Sequence, residues 1–314
     1  MSLLNYATQY SKALAKAYPY QLYFGKLWDT ENKQKYKVID AKTIKIPKIT
    51  IKGGRKDGDR DSIGGFTRNF SNEWETKELK RHRTWETLVH PMDVNQTNQV
   101  ATIANITDTF NQEEKFPEMD AITITELFAQ KNALETIERE VQPTSEAVLT
   151  AFDEMMDAMD EERVPAGGRL LYCDTFTKTL IDNAIKISRA NGDTNVSRMV
   201  SRLDEVEIIS VPTKCMKSKY DFTTGFQANG SAKDVAMMLV HRSCIIPCVN
   251  YEFVGLSAPT AQSQGKYLYF EESFEDIFIL EGRHHALQFA IKPAAMLSAK
   301  KAKAKAKPAE ESAE

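Results

Sequence analysis

Residues 66–124 read FTRNFSNEWETKELKRHRTWETLVHPMDVNQTNQVATIANITDTFNQEEKFPEMDAITI. The first half is an extended, highly charged ribbon carrying Trp74 and Trp85. The second half has the spacing of a long helix, interrupted at Phe116-Pro117. A charged ribbon of that length cannot bury itself within one compact subunit, so it needs neighbours. The stretch therefore points toward assembly rather than catalysis.

Upstream of the ribbon the chain is basic: residues 31–60 hold ten Lys or Arg against four acids. Within it, residues 43–52 (TIKIPKITIK) alternate apolar and charged side chains, which is strand periodicity. Pro47 confines that strand to an edge or a bulge, because it has no N–H for a ladder. GGRKDGDRDSIGG, residues 53–65, is a glycine-bracketed polar tip, and residues 66–90 return from it. The expectation is one large hairpin. A dozen residues per side at about 3.3 Å each would project it roughly 40 Å, beyond a typical domain radius. Lysine, arginine and proline guard its edges against aggregation. A second reading folds the hairpin back over its own sheet.

Downstream, residues 97–135 read as helix. Val100, Ile103, Thr107 and Phe110 follow helical spacing, as do Met119, Ile122 and Leu127. Pro117 is expected to kink or split it, since it removes a donor and clashes with the preceding turn. Unbroken, 39 residues would span roughly 58 Å. Residues 133–142 read as a connector. On the N-terminal side, residues 1–28 combine a helical pattern with an aromatic patch (Tyr18, Tyr20, Tyr23, Phe24, Trp28). This is either a helix docked on its own domain or an arm gripping a neighbour.

Residues 143–212 form an α/β unit. Pro143-Thr144-Ser145-Glu146 starts a helix, whose apolar stripe is Val148, Phe152, Met155, Met156 and Met159. A strand at 170–173 follows, and Asp174 is placed to cap a second helix. Another strand covers 206–211. Later come a buried-looking run at 245–253 and three short strands, at 267–270, 276–280 and 286–291. Residues 298–314 are a low-complexity charged tail. Its lysines could touch nucleic acid through phosphate charge alone or simply keep the chain soluble.

The chain has 314 residues, 42% hydrophobic and 27% charged, with a net charge of -3. That suits one elaborate domain or two. No apolar run reaches the roughly 18 residues of a membrane span, and the N-terminus lacks a secretory h-region. Four cysteines do not make a disulfide framework. His241, Cys244 and Cys248 (H-x2-C-x3-C) lack the further ligands a zinc site needs. His284-His285 reads as a solvated turn between strands. Asp157, Asp160, Glu161 and Glu162 read as a solvated helix face. Gly64-Gly65 and Gly167-Gly168 make no phosphate loop. No catalytic residue, metal site or cofactor is assigned, and no enzyme activity is expected.

The order of parts now matters: arm, long charged hairpin, spine helix, α/β block, returning strands. That order resembles the major capsid proteins of tailed bacteriophages or prophages, with the HK97-like fold. The phrases carrying the resemblance are TLVHPMDVNQTN (87–98), ANITDTFNQEEKFPEMDA (104–121), DEERVPAGGRLLY (160–172) and SRLDEVEIISVP (201–212). It covers most of residues 1–292.

The resemblance implies an α+β fold divided into an N-terminal arm (1–30), an extended hairpin loop or E-loop (31–90), a peripheral domain with the spine helix (91–140 and 270–297) and an axial α/β domain (141–269). It implies self-assembly of a homo-oligomer through hexamers and pentamers into an icosahedral shell around double-stranded DNA, which is contacted non-specifically. The product would be a virion component, assembled in the host bacterial cytoplasm with a portal. The hairpin would then lie over an adjacent subunit. Contacts are expected at Lys45, Lys48, Lys52, Arg55, Lys56, Arg60, Arg68, Trp74, Lys80, Arg81, Arg83 and Trp85, pairing with acids such as those of the 146–162 helix. Phe116 and Pro117 would bend the spine. Some members of this family join a loop lysine to a peripheral-domain asparagine. Lys52 or Lys56 could serve, but residues 270–297 contain no asparagine. Other members carry a scaffolding segment before the arm, and here a separate scaffolding protein is expected. An encapsulin-type shell shares the fold, and a cytosolic α/β enzyme with a regulatory hairpin is the reading from another class.

Overall fold

The computed structural model describes residues 22–34, 36–40, 42–55, 68–96, 103–189, 202–203, 205–223 and 225–293. In chain order the elements are α1 (Gly25–Trp28), β1 (Lys37–Val38), β2 (Thr43–Ile51), β3 (Phe70–Glu78), β4 (His82–Val89), α2 (Pro91–Gln96) and the spine α3 (103–134). Then come α4 (Ser145–Glu161), β5 (Arg169–Asp174), α5 (Thr175–Arg189), β6 (Arg202–Leu203) and β7 (Val206–Val211). The chain ends with β8 (Tyr220–Asp221), β9 (Gln227–Ala228), β10 (Val235–His241), β11 (Ile245–Ser257), β12 (Tyr267–Ile279) and β13 (Leu287–Ile291).

The centre is a five-stranded sheet in the order β13-β10-β5-β7-β6. β5 and β7 run parallel, with α5 between them in the chain; the remaining pairs are antiparallel. Both faces of β5 and β10 are covered, so their sequences RLLYCD and VAMMLV read as continuous rather than alternating apolar runs. Alternate residues serve two cores. Leu171, Cys173, Met237 and Leu239 pack with Val148, Phe152, Met155 and Met159 of α4. Leu170, Tyr172, Met238 and Val240 share the other core with Ile122, Ile124 and Leu127 of the spine.

Local chemistry sets the boundaries of these elements. The Thr144 hydroxyl accepts the Ala147 N–H at 3.3 Å, capping α4. Gly168, at a φ of 89°, turns the chain into β5 through a conformation that side chains disfavour. Buried Asp174 caps α5 by accepting the Thr177 N–H at 3.2 Å, and it also receives Lys292 Nζ at 2.5 Å.

The spine runs as α-helix over Ile103–Phe110, widens to a π turn over Asn111–Lys115 and resumes over Phe116–Leu134. Of the kink or split expected at Pro117, the split does not occur, since the helical backbone runs through it after a π turn. A proline can neither donate to the carbonyl four residues back nor tolerate it closely. Here the Phe116 N–H reaches five residues back to the Asn111 carbonyl, and the widened turn takes up the proline. Lys115 and Phe116 both keep helical angles. The 32 residues from 103 to 134 span roughly 48 Å. Residues 120–128 are buried all round, unlike a surface helix with one apolar stripe.

Three expectations change. The returning stretch 66–90 is not one strand: β3 pairs with β2, whereas β4 leaves the hairpin and joins a separate sheet, β11-β12-β4. The break falls where Leu79 enters the core and the Lys80 N–H bonds the Asp276 carboxylate at 3.0 Å. The strands expected at 267–270 and 276–280 are one, β12, paired along its length with β11. A boundary at 269–270 therefore cuts through a sheet. β11 belongs with β12, while β13 returns to the five-stranded sheet beside β10. Finally, residues 22–34 dock on their own subunit, with Phe24, Leu27 and Trp28 buried; residues 1–21 lie outside the described part.

Candidate assembly surface

The β2–β3 hairpin is anchored at one end and bare at the other. At the base, Ile44, Ile46 and Leu79 pack on Ile246, Cys248, Phe274 and Phe278 of β11 and β12. Glu281, just after β12, accepts Lys48 Nζ at 3.3 Å and Lys77 Nζ at 3.2 Å, and Lys77 also pairs with Glu75. The hydrogen bond from Glu75 and the two ammonium groups hold Glu281 down to about 2, while burial raises Glu75.

Toward the tip the register places Pro47 opposite Trp74, Ile49 opposite Asn72 and Ile51 opposite Phe70. Directly paired residues share a face, so Pro47, Ile49, Ile51, Phe70 and Trp74 form one surface, apolar except for Asn72. Ile49 is 68% exposed, Ile51 74%, Phe70 54% and Trp74 48%. Lys45 is half-buried, Lys52 and Arg55 are exposed, and Arg68 lies over the Phe70 ring at 4.7 Å. Lys56 and Arg60 lie outside the described residues.

The later members of the expected contact set have partners within the subunit. Arg81 donates to Glu126 at 2.7 Å and sits over the Phe222 ring at 4.3 Å, with Lys80 3.8 Å from the same carboxylate. Arg83 pairs with Glu118 at 2.5 Å and donates to the Phe222 carbonyl at 2.9 Å. Trp85 stacks on Phe110 of the spine, centroids 3.9 Å apart and planes within 7°, with the Tyr269 ring against its edge. These four side chains therefore fasten β4 to the spine. Phe116 is half-buried and Pro117 buried.

Carboxylates collect under this joint. Burial lifts Glu275 to about 7 and Asp276 to about 6 and raises Glu118 despite its arginine. A second apolar surface, missed in the sequence, lies on β4-β12-β11. Leu88 faces Leu268, which faces Ser257, and Phe253 and Phe270 lie nearby on the same side. Gly255 makes room there, because a Cβ would stand 3.1 Å from the Phe253 ring. The alternation in YLYFEES carries that signal, but only once β12 is known to be one strand.

The other singled-out residues are placed as follows. His241 bonds the Ser243 hydroxyl at 2.7 Å and the Gly167 carbonyl at 3.0 Å. Cys244 is directed at the Ala286 carbonyl, and Cys248 hydrogen-bonds Tyr36. These three do not converge on one point. Glu154, Asp157, Asp160, Glu161 and Glu162 are all exposed, with Glu154 paired to Arg139 and Asp160 to Arg169. No helix among the described residues is long and apolar enough to cross a membrane.

No family profile and no curated protein matches the sequence. Solved structures do match its shape. The mature capsid of bacteriophage PhiM1 aligns with a TM-score of 0.60 at 7% identity, over 80% of this chain and 82% of that one. The capsid of cyanophage P-SCSP1u aligns at 0.55 and 9% identity, over 82% and 85%. The capsid of the Myoviridae phage XM1 aligns at 0.53 and 9% identity, over 87% and 92%. The chain has the fold of these phage capsid chains, the HK97-like fold.

Proposed function

We propose that this chain is the major capsid protein of a tailed bacteriophage or prophage. In this reading its copies form hexamers and pentamers that close into a shell around double-stranded DNA. The observation that carries the reading is the hairpin: a rigidly based β-ribbon whose outer half presents four large apolar side chains to solvent. Burying one such side chain is worth about 1.5–3 kcal/mol, whereas an exposed ion pair is worth about 0–1 kcal/mol. The apolar face therefore outweighs the lysines as a source of binding energy, and the lysines set direction and salt dependence. Many modest contacts become strong in a closed lattice, because closure makes each further contact effectively intramolecular.

The fold likeness supports a shell role, and the intrasubunit pairing of Arg81, Arg83 and Trp85 supports a stiff joint from which the hairpin reaches a neighbour. A scaffolding protein and a portal would act during assembly in the host cytoplasm, and DNA would be held without sequence reading. Deleting residues 53–65 tests the proposal. The variant should stay folded and soluble but fail to form fast-sedimenting particles, while the full chain forms particles containing nuclease-protected DNA in an infected or induced host. Normal particles from the variant, or particles holding protein cargo instead of DNA, would overturn it.

A further inference from the structure

We propose that Glu135, His284 and His285 form a binding site for a divalent transition-metal ion of the zinc or nickel class. Glu135 directly follows the spine, and the two histidines lie in the 3-10 turn Glu281–Ala286 that carries the chain from β12 to β13. On a strand, adjacent imidazoles would point to opposite faces. The turn instead brings the two rings to 3.7 Å between centroids. One ligand atom from each of the three residues lies within 4.8 Å of the others. Ligands of a tetrahedral ion with bonds of about 2.0–2.1 Å stand roughly 3.4 Å apart. Drawing the three donors from within 4.8 Å to that spacing asks for a shift of an ångström or so, and Glu135, half-exposed, is the side chain with room to move.

The surrounding bonds orient the donors. His284 Nδ1 donates to the Glu281 carbonyl at 2.7 Å, which leaves Nε2 with its lone pair for a metal. That is the outer-shell arrangement which fixes tautomer and ring direction in histidine metal sites. Lys131, 2% exposed, donates to Glu135 Oε2 at 2.5 Å and to the His284 carbonyl at 3.2 Å, so it holds the carboxylate beside the rings and leaves Oε1 for the ion. The lysine cancels the carboxylate's charge, so donor chemistry rather than field must select the ion. Two imidazoles and one carboxylate oxygen suit zinc, nickel or copper. They do not suit calcium or magnesium, which need several oxygens. Solvent would complete the coordination.

The site also sits beside the hairpin anchor. Glu281 supplies the carbonyl that orients His284, and its carboxylate receives Lys48 and Lys77. An ion here would tie the end of the spine to the turn that holds the hairpin.

The test uses the full chain freed of metal by chelator and then titrated with zinc chloride by calorimetry and with cobalt chloride by visible absorption. A single saturable site is expected, with cobalt bands of a nitrogen- and oxygen-ligated, low-coordinate ion. His284→Ala, His285→Ala and Glu135→Gln should each weaken zinc binding by about tenfold or more, and His241→Ala and His82→Ala should not. Circular dichroism confirms that each variant is folded, and the three variants provide independent readings should one fail to fold. No saturable uptake by the full chain, or uptake unchanged in the three ligand variants, would overturn the assignment.

Discussion

The Asp120 carboxylate, shut away from solvent in the middle of the spine, accepts the backbone N–H of Phe24 at 3.0 Å. Its other oxygen accepts the Tyr23 N–H, also at 3.0 Å. Trp28 Nε1 then donates to Thr123 Oγ1 at 2.9 Å, one turn along the same helix. The segment entering the subunit is thus held by backbone bonds to one buried carboxyl group, not by its aromatic side chains alone.

Asp120→Ala removes the acceptor of the buried Phe24 amide and of the half-buried Tyr23 amide. Taking away the acceptor of a buried donor costs about 1–3 kcal/mol, so subunit stability should fall by roughly 2–4 kcal/mol. Asp120→Asn keeps one acceptor and should lose about half as much. Urea unfolding followed by tryptophan fluorescence measures both.

The hairpin separates folding from assembly. Ile51→Lys and Trp74→Ala change exposed side chains, so subunit stability should shift by no more than about 0.5 kcal/mol. Particle formation, read by sedimentation, should fall sharply in both. Lys52→Gln should mainly change the salt dependence of assembly. Equal losses from all three substitutions would argue against the apolar face as the principal contact.

Glu275 gives a pH dependence with a definite sign. Burial raises it to about 7, with Lys115 and Arg83 opposing and Glu118 and Glu252 reinforcing the shift. Its folded form therefore holds a proton that the unfolded chain releases near the ordinary glutamate value. The contribution to stability is complete below about pH 4.5 and is lost as pH rises through about 7. Glu275→Gln should remove that part of the decline, stabilising the subunit at pH 8 by up to about 3 kcal/mol while changing little at pH 4. Melting temperatures across that range check it. Asp276, lifted to about 6, contributes in the same direction, offset in part by the amides of Lys80 and Ile277.

Pro117 should be nearly silent. The π turn already accommodates its ring, so Pro117→Ala should leave helix content by far-ultraviolet circular dichroism unchanged and alter stability by less than about 1 kcal/mol. A clear gain in helicity would mean that the proline does interrupt the spine.

What could be read in advance was mostly local. The α4 stripe, the helix start at 143–146, the Asp174 cap and the strand at 170–173 follow from spacing and capping chemistry, and they stand where the sequence places them. The errors came from long-range partners. Nothing in Leu79-Lys80-Arg81 signals that the ribbon changes sheets, because the break depends on Asp276, nearly two hundred residues away. The polar middle of β12, EESFE, resembles a turn until Lys115 and His82 are seen to pair with Glu271 and Glu272. The apolar hairpin face is hidden in 43–52 because the apolar phase switches at Pro47, with Ile44 and Ile46 buried on one face and Ile49 and Ile51 exposed on the other.

The most direct test of the shell assignment is electron cryomicroscopy of the purified full chain under assembly conditions. The account predicts closed particles, with Ile49, Ile51, Phe70 and Trp74 buried against an adjacent copy. A homogeneous monomer or small oligomer, or particles in which that face remains open to solvent, would contradict it.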